Sequence, residues 1–204
     1  MHLVDRRILG IVILFLLGML VTVKRVAMGS ILDRPKGNLM VQLVNVFNLF
    51  FLLIVNPLAA ILLITRRLPT IDPTHMTINE QWILKVMEIV GLVLYLTGYL
   101  FMAWALITLG RNYQLGGRAP RSEDRMVVGG PYRVVRHPMY TAALSISLGL
   151  ACLIQSWAMF CVLGIYLALI IMLIPMEEDG LRRAYGERYV AYQQRSRKLI
   201  PFVY

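Results

Sequence analysis

Residues 138–176 read PMYTAALSISLGLACLIQSWAMFCVLGIYLALIIMLIPM, thirty-nine residues without one Asp, Glu, Lys or Arg. A transmembrane helix needs about 20 mostly apolar residues. This stretch is too long for one crossing and right for two. Gln155-Ser156-Trp157 is the place to break it, because polar residues and an interfacial Trp mark a water boundary. The reading is a tight hairpin of two apolar helices, with both ends on the same side of a membrane.

Three more spans lie upstream. Ile8 to Val23 is uncharged and extends to Met28 if Lys24 and Arg25 snorkel. Gly37 to Thr65 and Ile89 to Gly110 carry no charge either. The expected fold is an all-α integral membrane protein of five transmembrane helices, the last two the hairpin, with a C-terminal amphipathic cytoplasmic helix. Residues 1–105 would hold the first three spans, and 106–204 a core made of a polar loop, the hairpin and that last helix. Composition agrees: 58% of the 204 residues are hydrophobic and 16% charged, against about 25% charged in soluble domains. Mean hydropathy is +0.67. A disordered chain, a nucleic-acid arm and an ordinary soluble globule are excluded. Cys152 and Cys161 sit in apolar runs, which excludes a disulfide scaffold or a Cys-based zinc site, and three scattered histidines give no pattern for a metal. No small-x-small cleavage site follows the first apolar stretch, so it reads as a span rather than a signal peptide.

The net charge is +10. With five spans, Arg6, Arg7, Arg66, Arg67 and Lys85 fall on the side of the N-terminus, and the other sixteen Lys and Arg fall opposite. Cytoplasmic loops carry the excess of basic residues. The N-terminus is therefore expected outside and the C-terminus inside. The charge then answers topology and anionic headgroups, and no nucleic-acid partner is expected.

Several polar residues lie within or beside the spans. Gln42, Asn45 and Asn48 are spaced i, i+3, i+6 and share one helix face. They read first as hydrogen-bonding glue between helices, followed by a kink at Asn56-Pro57; the second reading is the polar wall of a substrate cavity. Lys85 and Glu88 read as an interfacial pair, His75 as structural or inert, and both cysteines as small buried apolar residues.

The stretch before the hairpin, GRNYQLGGRAPRSEDRMVVGGPYRVVRHPMY at 110–140, is polar, basic and rich in glycine. Gly116-Gly117 and Gly129-Gly130 allow positive φ and close backbone approach to a ligand. At the other end come Glu177, Glu178 and Asp179, three of only eleven acids in the chain. A hairpin brings its ends together, so His137 and Tyr140 are expected beside Glu177 and Glu178. Basic, aromatic and acidic groups then converge beside lipid, as a site for a polar ligand of both charges would require. Downstream, Leu181, Tyr185, Tyr189 and Tyr192 fall on one face, expected to form a single amphipathic helix lying over the surface or capping the pocket.

GGPYRVVRHPMY, an apolar hairpin, EEDGLRRAYGERYVAYQQR and a closing LIP together resemble the isoprenylcysteine carboxyl methyltransferase and phospholipid methyltransferase superfamily. The resemblance covers roughly residues 106–204. It implies integral membrane enzymes that use S-adenosylmethionine as co-substrate, bound on the cytoplasmic side, with no metal. Carried over by motif, the cofactor-binding residues would be Asp124, Arg125, Met126, Val127, Tyr132, His137, Pro138, Met139, Tyr140, Glu177 and Glu178, with Gln114 a further candidate. The acceptor would be a lipid or another lipophilic small molecule.

The chain departs from the family at three positions. Asp124 stands where the family often has His, and Ala142 where it usually has Gly. Leu173 stands where prenylcysteine methyltransferases resemble one another in an Arg. Without that Arg a carboxylate acceptor lacks its bidentate partner, which shifts the expectation towards an amine, a thiol or another lipophilic nucleophile. Leu173→Arg is expected to fold, because Arg can snorkel near a helix end. No residue is assigned as a base; Glu177, Glu178 or His137 would serve only if the nucleophile is protonated. Two other classes remain in view. One is a nicotinamide-dependent sterol- or lipid-type reductase, whose R-H-P-x-Y and chain ending are similar. The other is a non-catalytic membrane scaffold, which leaves the acids and His137 at the hairpin ends without a purpose.

Overall fold

The computed structural model describes residues 3–29, 39–110 and 125–200. Asp124 and Gln114 lie outside the described residues. α1 is Arg6–Met28. Asp5 caps it by accepting the Arg7 N–H at 2.7 Å, and also meets Arg66 at 2.9 Å. α2 (Leu39–Phe50) passes through a π-helical turn, Phe51–Val55, into α3 (Asn56–Ile64), so that Leu39–Ile64 is one apolar rod. Where a kink was expected at Asn56-Pro57, a π-helical turn directly precedes that pair. Proline removes a backbone donor, and the Asn56 side chain compensates locally by donating to the Phe51 carbonyl at 2.9 Å. After the short α4 (Leu68–Ile71) come α5 (Gln81–Leu109), α6 (Pro138–Ile154), α7 (Trp157–Tyr185) and α8 (Glu187–Arg195).

Among the described residues, four helical segments are long and apolar enough to cross a membrane: α1, the α2–α3 rod, α5 and α7. α6 is apolar but has 17 residues, about 25 Å at 1.5 Å per residue. The hairpin breaks where the polar triplet placed it: α6 ends at Ile154, Gln155 takes φ +54°, and α7 starts at Trp157. Its second arm runs past residue 176. α7 continues through Pro175 and all three acids to Tyr185, and the chain breaks only at Gly186, φ +57°. The expected single surface helix is thus divided: Leu181 and Tyr185 belong to α7, Tyr189 and Tyr192 to α8.

α5 and α6 form the most extensive helix pair. They approach so closely that a Cβ at Gly149 would lie 2.6 Å from the Tyr95 amide nitrogen. Small residues permit such approach where lipid supplies no hydrophobic drive between helices. One core gathers Ile13, Ala60, Leu63, Tyr95, Tyr99 and Leu150 between α1, α3, α5 and α6. A second gathers Val41, Val44, Tyr166, Ile170 and Leu173 between α2 and α7. Phe15, Leu100, Ile107 and Ile165 face outwards, as a lipid-solvated surface allows.

At one end of the bundle the hairpin turn is tied to the loop between α3 and α5. Met76 N–H donates to the Gln155 carbonyl at 2.8 Å, and Trp157 N–H to the Thr74 carbonyl at 3.1 Å. His75 forms an isolated bridge with Ser156 there, the structural role expected of it. Two expectations change. Glu88 turns towards α1, accepting the Leu3 N–H at 2.6 Å, rather than sitting in an interfacial pair with Lys85. Cys152 is buried, but Cys161 is exposed on the outer face of α7.

Candidate functional site

At the opposite end, the chain enters α6 through a 3-10 turn, Gly130–Arg133. Gly130 takes φ +56°, and a Cβ there would lie 2.8 Å from Thr108 Oγ1 at the end of α5. This fixes Tyr132 and the following strand-like segment against α5. His137 ends that segment as the cap of α6, and Pro138 occupies the first turn, where a missing N–H costs nothing.

The segment after α8 lies alongside residues 134–137. Arg136 N–H donates to the Arg197 carbonyl at 2.7 Å, His137 N–H to Lys198 at 3.1 Å, and Thr141 Oγ1 to Leu199 at 2.6 Å. Tyr192 hydroxyl donates to the Tyr132 carbonyl at 2.6 Å. The C-terminal segment thus straps down the approach to α6.

Across from it, α7 brings in its acids. Tyr140 hydroxyl donates to Glu177 Oε1 at 2.8 Å. His137 Nδ1 lies 3.6 Å from Glu177 Oε2, and its Nε2 lies 3.4 Å from Glu178 Oε1, in poor alignment for a hydrogen bond. The His137 ring stacks on Tyr140, centroids 5.8 Å apart. Arg136 Nε donates to Glu178 Oε1 at 2.7 Å, and Arg136 also reaches the Gln193 and Ser196 carbonyls. Gln193 Nε2 donates to Glu178 Oε2 at 3.0 Å. Burial first, and the Glu178 charge second, push the Tyr189 phenol well above its usual range; burial raises Tyr192 to about 12.

A cavity of about 270 Å³ opens beside these groups. Tyr132, His137, Pro138, Met139, Tyr140 and Glu177 line it, and so does Arg136. Its body is walled by Leu20, Phe47, Phe51, Leu52, Met102 and Leu106 from α1, α2, the π turn and α5. The structure therefore gathers six of the expected site residues on one cavity. Glu178 stands just behind it, with both oxygens engaged by Arg136 and Gln193 and only 4% exposed. Arg125, Met126 and Val127 do not line the cavity.

The sequence reading missed Arg136 and Gln193. The signal available was a deeply placed acid, Glu178, that needs a cation, with an Arg immediately before His137. On the polar face of α2, Asn48 accepts from the Tyr166 hydroxyl as helix-to-helix glue, and Asn45 and Asn48 both line the cavity. Leu173 is 1% exposed, packed among Val41, Val44 and Ile170. An Arg there would have to break that core, so the expected tolerance of Leu173→Arg is withdrawn.

Fold and site define a multi-pass helical membrane protein with a cavity that is charged at one end and apolar along its length. Residues 86–188 match the family described as Phospholipid methyltransferase, and the chain belongs to it. It is 31% identical over 121 residues to protein-S-isoprenylcysteine O-methyltransferase B of Arabidopsis thaliana, covering 55% of this chain and 58% of that protein. A probable protein-S-isoprenylcysteine O-methyltransferase of Oryza sativa subsp. indica is 28% identical over 134 residues, 62% of this chain and 65% of that protein. The match thus spans about three fifths of these relatives' length. The solved structure of the eukaryotic intramembrane Ras methyltransferase ICMT (isoprenylcysteine carboxyl methyltransferase) shares the fold, with a TM-score of 0.53, 20% identity, and 80% of this chain and 74% of that one covered.

Proposed function

We propose that the protein transfers a methyl group from S-adenosylmethionine to a lipophilic acceptor within the membrane. The observation that carries this reading is the meeting of His137, Tyr140 and Glu177 at a cavity whose other walls are apolar helices. A soluble cationic donor and a lipid acceptor need such a two-natured space. Family membership supports it.

The donor set fits the donor's chemistry. When bound, S-adenosylmethionine supplies an electrophilic methyl on a sulfonium. The Glu177 carboxylate, on the cavity wall, suits the cationic end of that molecule, and Tyr140 holds its orientation. Tyr132, Pro138 and Met139 complete the cavity wall there, with Asp124, Arg125, Met126 and Val127 assigned to the same site by the motif. Glu178 acts through others: bound by Arg136 and Gln193, it locks the C-terminal strap that lies behind His137. The apolar walls keep water from the nucleophile, and the larger share of the rate would come from positioning.

The proposal includes five spans, with α6 as the fifth beside the four longer ones. α6 packs along the middle of α5, with Ala142 and Ile146 beside Gly98 and Gly149 beside Gly91, and finishes bonded to the loop that precedes α5, which supports a short crossing helix. Five basic residues against sixteen support an N-terminus outside and a site on the cytoplasmic side. The donor enters from the cytoplasm; the acceptor enters laterally, past Asn45 and Asn48.

The test is calorimetric binding of S-adenosylmethionine, S-adenosylhomocysteine and NADPH to the detergent-purified protein. Saturable binding of the adenosyl ligands, lost in Glu177→Ala, is expected. Binding of NADPH alone would move the protein to the reductase class, and binding of none would leave a scaffold.

A further inference from the structure

Serine and threonine within a helix commonly satisfy their hydroxyls on a nearby backbone carbonyl. Thr22, Thr70, Thr97, Thr108, Thr141 and Ser145 each do so here, at 2.6–2.9 Å. Ser147, on α6, makes no hydrogen bond through its hydroxyl among the described residues. It is 3% exposed and lines the cavity. A buried hydroxyl without a partner is costly, so one kept on a cavity wall signals a ligand atom that completes it. Tyr140, Ala143 and Ser147 are spaced i, i+3, i+7 on α6, and all three line the cavity. Ser147 therefore lies about 10 Å beyond Tyr140 along the helix, at 1.5 Å per residue. The other polar groups near that depth are engaged with one another. A Cβ at Gly98 would lie 2.8 Å from Ile146, which sets Tyr99 close to the level of Ser147. Tyr95 hydroxyl donates to Asn56 Oδ1 at 2.7 Å and lies 3.3 Å from the Tyr99 hydroxyl, and Asn56 Nδ2 donates to the Phe51 carbonyl.

We propose that Ser147 is a specificity-determining residue: it hydrogen-bonds a neutral oxygen, keto or hydroxyl, carried on the body of the lipophilic acceptor about two helical turns from the methylated end. The inference rests on the proposed methyl transfer and adds to it a feature of the acceptor remote from the reacting atom. A serine hydroxyl both donates and accepts, so it serves either oxygen. Phe51, Leu52, Met102 and Ile146 supply apolar wall to the same cavity, where an ionic group would be buried without a counter-charge. A plain hydrocarbon chain would fill the space and leave the hydroxyl unpaired. An oxygenated chain satisfies it, and so gains selectivity over its plain counterpart.

The experiment uses the full chain in detergent and a series of linear alkyl methyl thioethers of equal length. One is plain, and the others carry a single keto or hydroxyl group at successive carbons. Affinities are measured for wild type, Ser147→Ala and Asn45→Leu. Asn45 is the comparison because its Nδ2 on the cavity-lining face of α2 also lacks a partner among the described residues. In the wild type, oxygen at one stretch of the chain is expected to tighten binding about fivefold over the plain thioether, the scale of one neutral hydrogen bond. Ser147→Ala is expected to abolish that preference while leaving the plain thioether's affinity and the thermal unfolding temperature unchanged, because the hydroxyl it removes bonds nothing in the protein. Asn45→Leu is expected to keep the preference. No preference at any position overturns the proposal, as does a preference that survives Ser147→Ala or one that Asn45→Leu removes instead. S-adenosylhomocysteine binding to the wild type is measured in parallel. Its failure would remove the methyltransferase reading, while the thioether series would still decide whether the subsite exists.

Discussion

Arg136 and Glu178 form the ion pair on which the site's geometry depends, and replacing Arg136 with Met measures how much. The pair is 7% and 4% exposed with an Nε–Oε1 distance of 2.7 Å. The same guanidinium holds the Gln193 and Ser196 carbonyls. Removing the cation leaves Glu178 buried with one amide donor from Gln193 and a poorly aligned His137. Stranding a buried charge costs about 3–5 kcal/mol. For a chain of this size each kcal/mol moves Tm by roughly 2–4 °C, so the expected drop is roughly 6–20 °C in detergent. The double variant Arg136→Met with Glu178→Leu removes both charges and should recover much of that loss. It should not recover S-adenosylhomocysteine affinity, because the C-terminal strap that bonds the His137 backbone loses its anchor. A Tm within about 2 °C of wild type for Arg136→Met, as for an exposed pair, would refute the reasoning.

Two further outcomes follow from burial. Leu173→Arg should destabilise by at least about 2 kcal/mol, the lower end for disrupting a buried leucine, since the side chain is packed between α2 and α7; thermal unfolding and the yield of monodisperse protein check it, and wild-type values would show that the helix end is open enough to snorkel. Tyr192 titrates near 12 in the folded protein against an ordinary 10. A raised phenol stabilises the fold fully below its unfolded pKa, and that contribution is lost as pH rises through the folded value. Stability should therefore fall between about pH 10 and 12, and Tyr192→Phe should soften that fall; an identical alkaline profile in the variant would contradict it.

The hairpin and its site ends were legible because two strong signals coincided. An uncharged run of thirty-nine residues interrupted by Gln155-Ser156-Trp157 admits few foldings, and a hairpin necessarily joins His137 to Glu177. Other features had no one-dimensional signature. Arg136 counts as one more basic loop residue in a charge tally, and only the strap contributed from residues 193–199 turns it into a buried cation. The end of α7 was placed too early because charges look like a water boundary, whereas Glu177 and Glu178 are satisfied within the protein and the helix continues.

The measurement that tests the central claim most directly is transfer of a radiolabelled methyl group from S-adenosylmethionine into membrane lipid extract by the purified protein. The account predicts label in the organic phase with wild type and none with Glu177→Gln at equal folded protein. Undiminished transfer by Glu177→Gln would contradict the site, and no transfer by a wild type that binds NADPH but not S-adenosylhomocysteine would contradict the function.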